Sequence, residues 1–142
     1  MTYIKNYEEL LFSWQSLRTE CADRDFETTI RAVNRWWQML PMDSHYLHWE
    51  DYEDYPDPWQ LLADGMFCPI SKSIGIVYTL CMLDMDEIAK LELLQTDDGD
   101  CLVCVNTNLI LNWSPEEILS ESDLPVAIKK RRNCSLLPCR FD

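Results

Sequence analysis

The segment Gly65-Met-Phe-Cys68-Pro69, opening the run Ile70-Ser-Lys-Ser-Ile-Gly-Ile-Val-Tyr-Thr-Leu-Cys-Met-Leu83, constrains this chain more than any other. Pro69 suits the first position of a helix, because a proline there gives up an N–H that would have no partner. Ile70, Ile74, Val77, Tyr78 and Cys81 fall on one face, and Ile76, Leu80 and Leu83 widen it. A helix apolar around most of its circumference has to be central, covered on several sides by other elements. The helix therefore predicts a domain built around itself, with Cys68 at its N-terminus. The positive end of the helix dipole favours a thiolate there, so Cys68 is a candidate nucleophile. The competing reading is a small buried side chain chosen for its size.

Other helices flank this one in the sequence. Leu10, Leu11, Trp14, Leu17 and Cys21 recur at helical spacing over Tyr7–Glu20. Phe26, Ile30, Val33, Trp37 and Leu40 do the same after the capping residues Asp23 and Asp25, and Pro41 ends the run. A tight turn between the two predicts an antiparallel hairpin, with Trp36 off its buried stripe. Asp57 and Pro58 start a short helix that Gly65 ends. Between them, residues 41–57 form a long acidic and aromatic loop, of a kind often used for function.

Past the central helix the pattern changes to strands. Ile88–Thr96, Cys101–Val105 and Leu109–Trp113 alternate or run apolar between the turn sequences Asp97-Asp-Gly-Asp and Asn106-Thr-Asn. They predict an antiparallel meander. Ser114-Pro-Glu-Glu is a helix-start signal, and residues 124–130 read as a further strand or an edge. The fold class that follows is α+β: an N-terminal helical hairpin and a central Cys-bearing helix packed on a small antiparallel sheet. Residues 1–130 read as one domain and 131–142 as an aperiodic tail.

Composition limits function. With a net charge of −13 and three glycines, the chain carries neither a basic nucleic-acid surface nor a Gly-rich phosphate loop. Mimicry of DNA by the acidic surface is a weaker alternative. Seven cysteines without an apolar leader suggest reduced thiols in a cytoplasm. No stretch has the roughly 20 apolar residues of a membrane span. Cys101-x-x-Cys104 resembles half a zinc knuckle, but residues three apart on a strand face opposite ways. His45 and His48 lack an evident third ligand, so no metal and no cofactor are expected. Trp49, Glu50, Tyr52, Glu53, Asp54 and Tyr55 are candidates for a protein-binding surface. Of the loop aromatics, Trp49 and Trp59 are expected inside, and Tyr52 and Tyr55 outside.

The order of a Cys-opened helix followed by a meander, with Tyr55-Pro-Asp-Pro-Trp-Gln-Leu-Leu-Ala-Asp-Gly-Met-Phe-Cys68 leading into it, resembles transglutaminase-like and papain-like cysteine proteins. The resemblance covers about residues 55–113. It implies a histidine at the start of the strand after the helix and an Asp or Asn on the next strand to orient it. Asn112 fits the second place, whereas residues 100–102 hold no histidine. Only His45 or His48, from the long loop, could then act as base for Cys68. The patterns Arg35-Trp-Trp-Gln, His45-Tyr-Leu-His48, Pro58-Trp-Gln-Leu-Leu and Gly75-Ile-Val-Tyr-Thr-Leu also resemble small proteins of tailed phages, notably cyanophages. Together these give the expectation of a non-catalytic phage-like protein with a degenerate core. It would meet a host or virion protein in the host cytoplasm or on the virion. The alternative is a cysteine acyltransferase or peptidase using Cys68, His45 or His48, and Asn112.

Overall fold

The computed structural model describes residues 6–43, 46–136 and 139–141. Helix α1 spans Tyr7–Cys21, capped by the Asn6 side chain, and α2 spans Phe26–Gln38, capped by Asp25. The long loop contains a 3-10 turn, Trp49–Asp54. Helix α3 (Pro58–Asp64) starts from Asp57 and stops at Gly65, whose φ of 67° is the left-handed geometry that glycine tolerates best. Helix α4 (Pro69–Leu83) has Cys68 as its N-cap.

Six strands form one antiparallel sheet in the order β4-β3-β2-β1-β5-β6. They are β1 (Leu91–Thr96), β2 (Cys101–Val105), β3 (Leu109–Leu111), β4 (Leu119–Ser120), β5 (Ile128–Leu136) and β6 (Cys139–Phe141). The α+β class and the β1-β2-β3 meander agree with the sequence reading. Two local readings are corrected. Ser114-Pro-Glu-Glu makes its cap bond, Glu117 N–H to Ser114 Oγ at 3.1 Å, but no helix follows. The chain there goes instead to β4, which pairs with β3. Residues 131–136, aperiodic in sequence, complete β5 by pairing with β1 from Leu91↔Cys134 to Leu94↔Arg131. Strand pairing supplied an order that side-chain periodicity did not signal.

The sheet's alternation sorts its residues into two layers. Leu91, Leu93, Cys101, Val103, Val105, Leu111 and Cys134 face the helices and join the main core. Leu94, Leu102, Cys104 and Ile110 form a smaller cluster on the other face, beneath Trp113, Leu119, Leu124 and Ile128. Cys101 and Cys104 thus lie on opposite faces, as expected of residues three apart on a strand.

Helix α4 is buried along most of its length, between the other helices and the sheet. Two indoles fix its seat: Trp14 and Trp37 both donate Nε1–H to the buried Thr79 Oγ1, at 2.9 and 3.0 Å. Trp37 can approach because position 75 is glycine. A Cβ there would stand 2.4 Å from the Trp37 ring, well inside contact distance. Lys72, the lone basic residue of α4, is buried too. Its ammonium donates to the carbonyls of Gln38 (2.9 Å) and Leu40 (2.6 Å) just past α2. That bond ties the start of the long loop to the first turn of α4. Burial away from any carboxylate pushes the Lys72 pKa down.

Candidate active site around Cys68

Cys68 is fully buried. Its sulfur accepts the Ser71 N–H at 3.5 Å, the N-cap bond of α4, and lies 3.2 Å from the Ser71 hydroxyl. The backbone of Leu47 and Tyr46, from the long loop, adds to the groups that favour the thiolate. Burial by itself would raise this thiol's pKa. The donors from Ser71, Leu47 and Tyr46 outweigh burial and hold it below the usual range. The Ser71 hydroxyl is also 3.2 Å from the Met66 carbonyl, so it can turn between that carbonyl and the sulfur as the thiol gains or loses its proton.

The segment that supplies two of those donors is anchored at both ends. Met42 bridges to Phe67, and Asp43 N–H bonds to the Phe67 carbonyl at 2.9 Å. At the other end the Tyr46 hydroxyl donates to the Asp64 carboxylate. That bond to an anion, with some burial, pushes the Tyr46 pKa up to about 12. Sequence reading missed the role of this backbone, because N–H donors carry no residue-type signal. Lys72 was detectable only as a single charge inside an apolar run.

The start of β2, where the family resemblance called for histidine, is Cys101. It is buried against α4, with its carbonyl accepting from Ser73 Oγ and Asn112 Nδ2, both at 2.9 Å. Burial, with the charges of Cys68 and Asp100 beside it, pushes the Cys101 pKa up to about 12 despite a bond from Ser73. Asn112 is buried close by, but no imidazole lies against it among the described residues. Its Nδ2 reaches the Pro69 carbonyl (3.1 Å), Ser73 Oγ (2.9 Å) and the Cys101 carbonyl, while its Oδ1 accepts from Gln38. Asn112 therefore joins α2, α4 and β2 beneath the helix start. Its own φ of 68° is left-handed, a conformation asparagine adopts more readily than most residues.

His48 is exposed at the N-cap of the 3-10 turn and makes no cap bond with its side chain. His45 lies outside the described residues. Among the described residues, no three His, Cys, Asp or Glu side chains converge as a metal site. The proposed binding aromatics are divided. Trp49 is buried as expected, and Glu50, Glu53 and Asp54 are exposed. Tyr52 and Tyr55, expected outside, are half-buried instead, because Arg132 from β5 fills the space between them and Trp49. Its guanidinium sits 4.2 Å from the centroids of both the Trp49 and Tyr52 rings and donates to the Trp49 carbonyl at 2.6 Å. Tyr55 Oη donates to the same carbonyl at 3.1 Å, and burial pushes its pKa up. Trp59, expected inside, is 44% exposed and meets Trp14 edge-on at 5.8 Å.

Comparison with known proteins gives a fold. No protein-family model matches the sequence, and no curated protein sequence matches it. Among solved structures the chain is similar to calcium-bound LapG of Legionella pneumophila, at 13% identity and a TM-score of 0.71. The likeness covers 98% of this chain and 81% of LapG. The likeness is one of fold, and that shared fold is transglutaminase-like. The comparison corrects the expectation of a non-catalytic binding protein. The fold shared with LapG favours the enzymatic alternative over a non-catalytic role. Among the described residues, no helix is long and apolar enough to cross a membrane.

Proposed function

We propose that this protein is a cysteine-dependent acyltransferase or peptidase in which Cys68 is the nucleophile. One observation carries the reading: the backbone of Tyr46 and Leu47, the two residues between His45 and His48 in the sequence, comes close enough to Cys68 to help lower its thiol pKa. Each histidine is thus adjacent in the chain to a residue whose backbone acts on the thiol. Either imidazole is a candidate to take the thiol proton and return it to the leaving group.

The thiolate would attack an amide or ester carbonyl carbon, forming a C–S bond as the carbonyl electrons move onto oxygen. The Ser71 N–H at the start of α4, now bonded to the sulfur, would be near enough to bind that oxyanion. Collapse of the intermediate breaks the carbonyl's bond to nitrogen or oxygen, and the leaving group takes the proton from the imidazole. Water or an amine then releases the thioester. Because Cys68 is closed from solvent, entry of the acyl group requires Tyr46 and Leu47 to withdraw from the sulfur. Asn112 acts here as a positioning residue, holding the Pro69 and Cys101 carbonyls that frame the helix start.

The phage-like patterns in the helical half support a host or virion polypeptide as substrate, in a host cytoplasm or on a virion. The exposed carboxylates of Glu50, Glu53 and Asp54 favour a basic contact surface on that polypeptide. The test is selective labelling. Iodoacetamide near neutral pH should modify Cys68 before any other cysteine, and His45→Ala or His48→Ala should slow the modification. A folded protein whose Cys68 reacts no faster than its other thiols would end the catalytic reading.

A further inference from the structure

Beside the start of α4 lies a cavity of about 340 Å³. Pro69, Cys101 and Asn112 form the side nearest the proposed nucleophile, and Gln38, Met42, Asp100 and Trp113 complete the wall. Its charge is one-sided: Asp100 is the one charged side chain of its lining. The Asn112 amide is spent on internal bonds, and the Gln38 Nε2–H is given to Asn112. The acceptors left to the cavity are the Gln38 Oε1 and the exposed Asp100 carboxylate. No Lys or Arg lies within ion-pair distance of Asp100 among the described residues. Asp100 belongs to the cavity's lining while remaining exposed, so its carboxylate stands at the mouth. Met42 and Pro69 offer apolar contact, and Trp113 offers an indole.

A site with acceptors, an aromatic ring and an aliphatic wall is complementary to a cation on a hydrocarbon stem. The stem packs on apolar side chains, while the charged head finds a carboxylate and a ring. A neutral polar group would leave the Asp100 charge uncompensated. An anion would meet Asp100 at close range in a protein of net charge −13.

We infer that this cavity is a specificity subsite for a lysine or arginine side chain of a polypeptide substrate, with Asp100 and Trp113 as its selecting residues. Its role as a subsite rests on the reaction proposed for Cys68, whereas its binding of a basic side chain does not. A basic residue seated there would lie beside the first turn of α4, so the neighbouring peptide bond could reach Cys68 once Tyr46 and Leu47 have withdrawn.

The experiment uses the full chain carrying Cys68→Ser, which separates binding from turnover. A capped lysine peptide and its norleucine counterpart are titrated while the Trp113 indole N–H and the Asp100 amide are followed by NMR. Saturable shifts at both positions are expected, with the norleucine peptide about tenfold weaker or more, since it lacks the charge. Asp100→Asn, at an exposed turn position, should weaken lysine binding by about the same factor, and added salt should weaken it further. Equal binding of the two peptides, or lysine binding indifferent to Asp100→Asn, overturns the inference. Lysine binding in a protein whose Cys68 proves inert upholds the cavity and fails only the reaction. A reactive Cys68 with no lysine preference does the reverse.

Discussion

Cys68 and Cys101 are both excluded from solvent at the junction of helix and sheet, and their chemistry diverges. Cys101 sits on a strand whose backbone donors are committed to the ladder, so its thiol meets desolvation and the neighbouring charges of Cys68 and Asp100. Cys134 and Cys104 on the sheet share its direction, Cys104 reaching about 11. Cys68 sits at a helix start, where N–H groups have no carbonyl partner of their own, and a loop brings two more. Both thiols are closed from solvent, yet Cys101, the more deeply desolvated, is shifted up and Cys68, with more donors, is shifted down. The number of uncommitted donors aimed at the sulfur decides whether a buried thiol is inert or prepared.

The largest effect that can break this comparison is chemical. At pH 7, alkylation of Cys68 should exceed that of Cys101 by about a hundredfold or more, since only the thiolate reacts. Mass spectrometry of a time course reads the order directly, and Cys101 reacting first would reverse the argument. A second large effect concerns the seat of α4. Gly75→Ala drives a methyl into the Trp37 ring and should cost about 1–3 kcal/mol or more in denaturant unfolding. A neutral result would mean that the indole is free to move aside.

Asn112→Ala strips partners from the Pro69 and Cys101 carbonyls and from Gln38. The expected loss is about 1–3 kcal/mol, together with slower labelling of Cys68. Unchanged labelling in a folded variant would remove Asn112 from the site. Ser71→Ala deletes one donor and should move the pH profile of Cys68 alkylation upward while leaving stability nearly intact. A stationary profile would assign the low pKa to the backbone donors alone.

The smallest effect is on the pH dependence of stability. Cys101 has a folded pKa of about 12 against an ordinary 9.0, so its contribution is complete below pH 9.0. That contribution is lost as pH rises through the window toward 12. Cys68, shifted down, has the opposite sign: its contribution is present above the ordinary thiol pKa and lost as pH falls through the folded value. Urea unfolding between pH 8 and 11 should show the alkaline loss, and Cys101→Ala should flatten it.

Much of the fold was legible because local rules applied. Asp25, Asp57 and Gly65 cap as their types suggest, and the turns at Asp97–Asp100 and Asn106–Asn108 separate strands where the periodicity changes. The failures have physical causes. Ser114-Pro-Glu-Glu is a start signal that pairing with β3 overrides. Tyr52 and Tyr55 are covered by an arginine 77 residues or more away, which no local window contains. Trp59 remains half outside because Trp14 offers it an edge rather than a pocket.

The sequence by itself determined that a cysteine opens a helix too apolar to lie anywhere but the centre, because Pro69 and the side chains after it permit little else. Tertiary structure alone decided what that cysteine is. The backbone of Tyr46 and Leu47 has no letter in the sequence, and it comes close to Cys68 only after the long loop is pinned at Phe67 and Asp64. A thiol's acidity depends on where donors point, and folding sets that direction.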